Sequence, residues 1–204
     1  MKYFVTGATG FIGKRLVKTL LERRGAVVYF LLRPESESKV AALLEYWDAA
    51  GTGTKARAIP VYGDLTAKKL GVSADDIKKL KGQVDHLYHL AAVYDLKADE
   101  ESQVKVNIEG TRSAVEFAKA IEAGHLHHVS SIAAAGLYEG VFREDMFDEA
   151  EGLEHPYFMT KHESEKIMRK EAKVPWTVYR PALVVGDSRT GEMDKIDGPY
   201  YFFK

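Results

Sequence analysis

The 204-residue chain contains no cysteine. Disulfides, thiol nucleophiles and thiolate metal ligands are therefore excluded. Charge of either sign is not in excess: 29 Lys and Arg stand against 30 Asp and Glu, a net charge of −1. Neither nucleic acid nor an anionic membrane is favoured as a partner. No apolar run approaches the roughly 20 residues that span a bilayer. The N-terminus enters a glycine turn directly, with no apolar signal region or cleavage site. There is no internal repeat and no low-complexity tract. A cytoplasmic protein without a membrane span is the expectation. What the chain does have is 46% hydrophobic composition, enough for one well-packed core.

The most telling stretch is Thr6-Gly7-Ala8-Thr9-Gly10-Phe11-Ile12-Gly13. It follows the apolar run Tyr3-Phe4-Val5 and opens a helical spacing at Ile12, Leu16, Val17, Leu20 and Leu21. A strand, a glycine turn and a helix in that order aim backbone N–H groups and the positive end of a helix at a pyrophosphate. Gly7 permits the sharp turn, Gly10 a close backbone approach, and Gly13 tight packing of helix on strand. Three glycines alone also fit an ordinary strand-to-helix loop. The second apolar run, Val27 to Leu32, makes the dinucleotide reading the better one. It leads into Arg33, twenty positions past Gly13, where a ribose-reading residue is expected. An acidic residue there suits NAD; a guanidinium suits a 2′-phosphate. NADP(H) is the expected cofactor. Lys39 reads more simply as a solvated cation.

Strand-like runs fall at 3–6, 27–32, 58–62, 86–90, 127–131 and 176–179. Helical patterns lie between them at 12–24, 39–49, 73–81, 101–123 and 157–172. This alternation predicts an α/β, Rossmann-type, doubly wound parallel sheet with helices on both faces. The acidic, irregular segment 136–155 is expected to lie over the carboxyl ends of the strands. Residues 1–186 are read as the dinucleotide-binding domain. Residues 187–204, ending in a cluster of aromatics, are read as the start of a truncated C-terminal substrate region.

Tyr157 and Lys161 stand four apart in a helical pattern, hence on one face. An ammonium beside a phenol favours phenolate, and such a tyrosine can exchange a proton with a carbonyl or alcohol. Alone, the pair reads better as an exposed helix pair. Ser131 is expected at the end of the fifth strand, where its hydroxyl could donate to a substrate carbonyl oxygen. Ser130 reads as a turn or capping residue. No metal is expected: His125, His127 and His128 are close in sequence, but strand neighbours face opposite ways. Trp47 and Trp176 read as core.

The ordered set Thr6 to Gly13, Gly63-Asp64-Leu65, His89-Leu90-Ala91-Ala92, Ser131, Tyr157-x-x-x-Lys161 and Arg180-Pro181 resembles the extended short-chain dehydrogenase/reductase family. The resemblance implies a Ser131, Tyr157, Lys161 catalytic triad, with Tyr157 as general acid and Lys161 on the nicotinamide ribose. It implies a cofactor wall of Gly7, Thr9, Gly10, Phe11, Ile12, Gly13, Arg33, Asp64, Leu65, Ala91, Ala92, Val93, Asn107, Tyr157, Lys161 and Pro181. For Asn107, helix packing is an equal reading. The runs from His127 to Gly136, Tyr179-Arg180-Pro181 and Gly186 to Gly191 resemble the acyl reductase branch of fatty acyl-CoA (male sterility type) and thioester reductases. That branch implies NADPH-dependent reduction of an acyl thioester or aldehyde, and chains considerably longer than this one. Family members often pair through their long helices, which leaves a homodimer open. Two other readings stand beside this one: a nucleotide-sugar epimerase or dehydratase, and a non-catalytic dinucleotide-binding module.

Overall fold

The computed structural model describes residues 1–49, 53–93, 99–193 and 200. Six strands form one parallel sheet: β1 (Lys2–Thr6), β2 (Val27–Leu32), β3 (Ala58–Tyr62), β4 (His86–His89), β5 (His125–Val129) and β6 (Trp176–Tyr179). Their order is β3-β2-β1-β4-β5-β6, parallel at every pairing. This is the doubly wound arrangement, with its reversal of direction between β1 and β4.

The helices lie on opposite faces for the two halves, as right-handed crossovers between parallel strands require. Helix α1 (Phe11–Leu21) and α2 (Val40–Trp47) cover one face, where Tyr3, Val5, Val28 and Phe30 meet Val17, Leu20, Leu21 and Trp47. Helix α3 (Ala74–Leu80), α5 (Gly110–Ala120) and α6 (Pro156–Glu171) cover the other, where Phe4, Leu87 and Leu126 meet Leu80, Phe117, Ile121, Ile167 and Met168. Alternation along β1 sends Tyr3 and Phe4 to different layers, as a period of two requires.

Three sequence expectations change. The fifth strand begins two residues earlier than expected, because His125 pairs with His86 and extends the ladder. The single helix expected over 101–123 is three pieces: α4 (Glu100–Gln103), a π turn (Val104–Glu109) and α5. The 136–155 segment lies on α6 and at the carboxyl end of β6 rather than over the cleft: Phe147 stacks on His162 at 4.3 Å, and the guanidinium of Arg180, the residue after β6, donates to the Met146 carbonyl at 2.8 Å. Of that segment only Gly136 reaches the cleft described below.

Candidate active site

The end of β1 turns into α1 through Gly7, whose φ of +73° lies in the left-handed region that glycine adopts without a steric penalty. A Cβ at Gly7 would stand 2.8 Å from the Ala91 backbone nitrogen, and one at Gly13 would stand 2.0 Å from the Gly7 carbonyl oxygen. Turn, helix and the strand end at Ala91 are thus at closest approach. Gly10 caps α1 without any side-chain hydrogen bond. The first-turn N–H groups therefore face the open cleft, with the positive end of the helix behind them. That cradle fits a diphosphate.

The cleft, about 1030 Å³, runs along the carboxyl ends of the strands across the reversal point. Its wall includes Gly7, Thr9, Gly10, Phe11, Ile12, Gly13, Arg33, Asp64, Leu65, Ala91, Ala92, Val93, Ser131, Tyr157, Lys161 and Pro181. Of the cofactor wall expected from sequence, Asn107 alone is absent. It sits behind the wall, 2% exposed, on the π turn. Its Oδ1 accepts from the Val93 N–H at 2.8 Å, and its Nδ2 donates to the Val93 carbonyl at 3.0 Å and to Thr160 Oγ1 at 3.2 Å. Asn107 therefore ties the loop after β4 to α6. π turns recur at functional sites.

At one end of the cleft, Arg33 follows β2 and Asp64 follows β3. Asp64 accepts from the Thr66 N–H and hydroxyl at 2.8 and 2.9 Å. These bonds, with the nearby Arg33 charge, hold its carboxyl below the usual range despite partial burial. Just beyond, Lys69, Leu70 and Gly71 are all left-handed, at φ of 52°, 59° and 59°. Two consecutive non-glycine residues in that region store strain. Ser113 on α5 holds the turn, accepting from the Leu70 N–H at 2.7 Å and donating to the Ala67 carbonyl. No sequence signal marked this clamp.

At the other end, Ser131 lies two residues past β5 and caps a short 3₁₀ turn (Ile132–Ala135), accepting from the Ala133 N–H at 3.1 Å. Its own hydroxyl proton remains available to donate. Ser130, expected as a cap, is instead buried and donates to Glu165 at 3.0 Å. Tyr157 occupies the first turn of α6, which Pro156 starts and His155 caps through the Tyr157 N–H at 3.1 Å. Lys161, one turn on, is only 5% exposed, and burial lowers its pKa from 10.5 to about 8.

Beneath Lys161 lies a feature that spacing did not reveal. The pairing of β4 with β5 sets His89 opposite His128, and the rings stack at 5.3 Å. His89 is held between the hydroxyls of Thr6 and Thr111, at 2.8 and 3.1 Å. Both ring nitrogens of His128 lack a hydrogen-bond partner among the described residues. Burial lowers His89 to about 3 and His128 well below its ordinary range, and the Lys161 charge adds to both shifts. Two neutral imidazoles thus underlie the ammonium. Among the described residues, no group of three or more His, Asp or Glu could hold a metal, and no helix is long and apolar enough to cross a membrane.

A family model described as "Male sterility protein" matches residues 5–204. Among curated proteins, the chain is 26% identical over 236 residues to the fatty acyl-CoA reductase wat of Drosophila melanogaster, covering 96% of this chain and 46% of that one. Among solved structures, it resembles the terminal R domain from the myxalamid PKS-NRPS biosynthetic pathway. That match has a TM-score of 0.82 and 30% identity, over 96% of this chain and 52% of that one. The UDP-glucuronic acid 4-epimerase from Bacillus cereus, in complex with NAD, matches with a TM-score of 0.69 and 26% identity, over 91% of this chain and 58% of that one. The chain spans less than half the length of the curated relatives it matches.

Proposed function

Because the chain belongs to the male sterility protein family, a dinucleotide-binding branch of the extended short-chain dehydrogenases/reductases, we propose that it carries the cofactor half of an NADPH-dependent reductase of acyl thioesters or aldehydes. The observation that carries this reading is the convergence of Ser131, Tyr157 and the buried Lys161 on the cleft that the glycine turn opens.

When bound, NADPH supplies a hydride from the nicotinamide C4 to the carbonyl carbon. The Ser131 hydroxyl donates to the carbonyl oxygen and stabilises the charge that develops there. Tyr157 gives that oxygen its proton. Lys161 would hold the nicotinamide ribose and keeps a positive charge one turn from Tyr157. The Gly7–Gly13 turn would hold the diphosphate, and Arg33 would receive the 2′-phosphate. With a thioester, loss of the thiol leaves an aldehyde. Beside Ser131 and Tyr157 the cleft wall is apolar: Ile132, Phe158, Leu183, Val184 and Val185 line it. Four of these, all but Phe158, are among the exposed large hydrophobics, with Leu183 72% exposed. An apolar acyl chain would cover them.

The likeness to an NAD-bound nucleotide-sugar epimerase keeps a second reading in view. Arg33 at the ribose position opposes it. The deciding experiment is a panel of acyl-CoAs, aldehydes and sugar nucleotides given to the full chain with NADPH or NADH. Acyl or aldehyde turnover with NADPH, lost by roughly 10²-fold or more in Tyr157→Phe while NADPH still binds, supports the proposal. Turnover of sugar nucleotides alone, with NAD retained through purification, overturns it.

A further inference from the structure

Glu165 has no part in the chemistry above, yet it is fully buried and gathers hydrogen bonds from three elements. It stands one helical turn after Lys161 and two after Tyr157, on the same face of α6. Its Oε1 accepts from Arg180 Nη2 at 2.7 Å and from Arg169 Nη2 and Nε at 2.8 and 2.9 Å. Its Oε2 accepts from Arg180 Nε and from the Ser130 hydroxyl, both at 3.0 Å. Burial pushes the carboxyl up, but the bonds from Arg180 and Arg169 outweigh it and hold Glu165 ionised.

Two of the three partners adjoin residues of the cleft wall, and Arg169 lies on α6 itself. Ser130 immediately precedes Ser131, and Arg180 immediately precedes Pro181. Arg180 also donates to the carbonyls of Met146 and Arg143, at 2.8 and 3.3 Å. Burying a carboxylate with guanidinium groups is costly, and apolar packing holds helices to sheets at no such cost. What a two-point guanidinium–carboxylate pair adds is a fixed direction and depth. The α6 helix carries both Tyr157 and Lys161, so sliding it along the sheet would move them together relative to Ser131.

We propose that Glu165 and Arg180 are positioning residues: their two-point pair, joined by Ser130, sets the register of α6 against the ends of β5 and β6 and thereby the distance of Tyr157 and Lys161 from Ser131. This rests on the reductase reading for its consequence in rate, but not for its consequence in structure.

The test uses the full chain with Glu165→Gln, Arg180→Lys and Ser130→Ala. Three things are measured: kcat and KM with the best substrate of the panel, NADPH affinity by fluorescence titration, and amide hydrogen exchange. The expected result for E165Q and R180K is a kcat lowered by roughly 10- to 100-fold. NADPH affinity should fall by much less than kcat, because the glycine turn is untouched while only the ribose contact of Lys161 shifts, and exchange should quicken at 157–161 but not in α1. If E165Q does not fold, R180K and S130A decide, S130A with a loss of roughly 3- to 10-fold in kcat. A folded variant with kcat within about twofold of the parent and unchanged exchange at 157–161 overturns the proposal. So does parallel loss of kcat, NADPH affinity and protection throughout, which is the signature of plain destabilisation. If the parent neither turns over the panel nor binds NADPH, the reductase reading fails, and hydrogen exchange at 157–161 decides the positioning role in either case.

Discussion

Replacing Lys161 by methionine should make the cofactor-free protein more stable, although it removes a group central to the proposed chemistry. The lysine is 5% exposed, and burial takes its pKa from 10.5 to about 8. A fall of that size corresponds to about 3 kcal/mol of unfavourable free energy for the charged form in the folded state. At pH 7 the group is charged in both states, so the whole cost is present. Between about pH 8 and 10.5 the unfolded chain keeps a proton that the folded chain has released, so wild-type stability rises with pH across that window. Methionine has similar length, no charge, and fits irregular apolar space. Lys161→Met should therefore gain up to about 3 kcal/mol at pH 7, a rise of roughly 5–10 °C in Tm for a chain of this size. The gain should shrink steadily from pH 8 to pH 10. The assay is urea and thermal denaturation of both proteins, without cofactor, at pH 7, 8.5 and 10. Taking the difference between the two cancels the other titrating groups. A variant less stable than wild type at pH 7, or a gap that does not change with pH, would refute the reasoning.

Acid should unfold this protein early. His89 is held near 3, His127 near 4 and His128 well below its ordinary value, chiefly by burial. Below about pH 6.5 the unfolded chain takes up protons that the folded chain refuses, so stability falls as pH falls, by up to about 1.4 kcal/mol per pH unit for each of the deeply buried His89 and His128 and by less for the less deeply buried His127. Urea midpoints at pH 7 and 5 check this, and a flat profile contradicts it. Arg33→Asp should weaken NADPH by more than about tenfold and NADH by less than about threefold, if Arg33 reads the 2′-phosphate; equal losses would make Arg33 a surface cation only. Ser113→Ala leaves the Leu70 N–H and the Ala67 carbonyl without their clamp, a loss of about 1–3 kcal/mol. It should weaken NADPH and NADH alike while leaving kcat at saturating cofactor unchanged. Unaltered affinity for both dinucleotides would show that the strained turn does not shape the cleft.

Much of the fold could be read from local pattern, and what escaped shares one cause. Strands β2 and β3 and the start of α1 announce themselves through apolar runs and glycines, which act on their immediate neighbours. The fifth strand starts two residues before the sequence predicts, because Gly124-His125-Leu126 gives no continuous apolar run to mark its start. A slip of two keeps every side chain on its face, so Ser131 was still assigned to the cleft side. The His89–His128 stack, the Glu165–Arg180 pair and the Ser113 clamp depend on strand register and on which helix lies over which loop. Those relations hold between residues far apart in sequence, and no spacing encodes them. The π turn at 104–109 escaped for the same reason, since Asn107 spends its side chain on Val93 and Thr160 rather than on its own helix. Segment 136–155 is acidic and irregular, with no spacing that shows where it packs; the residues that anchor it, His162 under Phe147 and Arg180 on the Met146 carbonyl, belong to other parts of the chain.

The two ends of the cleft are built by different physics, and this decides how each responds to change. At the glycine-turn and Arg33 end, the shaping agents are backbone: a left-handed Gly7, a Gly13 with no room for a Cβ, and the left-handed run Lys69-Leu70-Gly71. Errors there are steric, so they should appear as lost cofactor affinity that is indifferent to pH. At the Tyr157 end, the shaping agents are buried charge and buried neutral imidazole: Lys161, Glu165, His89 and His128. Errors there are electrostatic or positional, so they should appear in rate and in the pH dependence of stability. Natural folds tolerate destabilised groups where chemistry needs them. The burial of Lys161 beside two imidazoles places that destabilisation at the end of the cleft where the proposed reduction handles a proton.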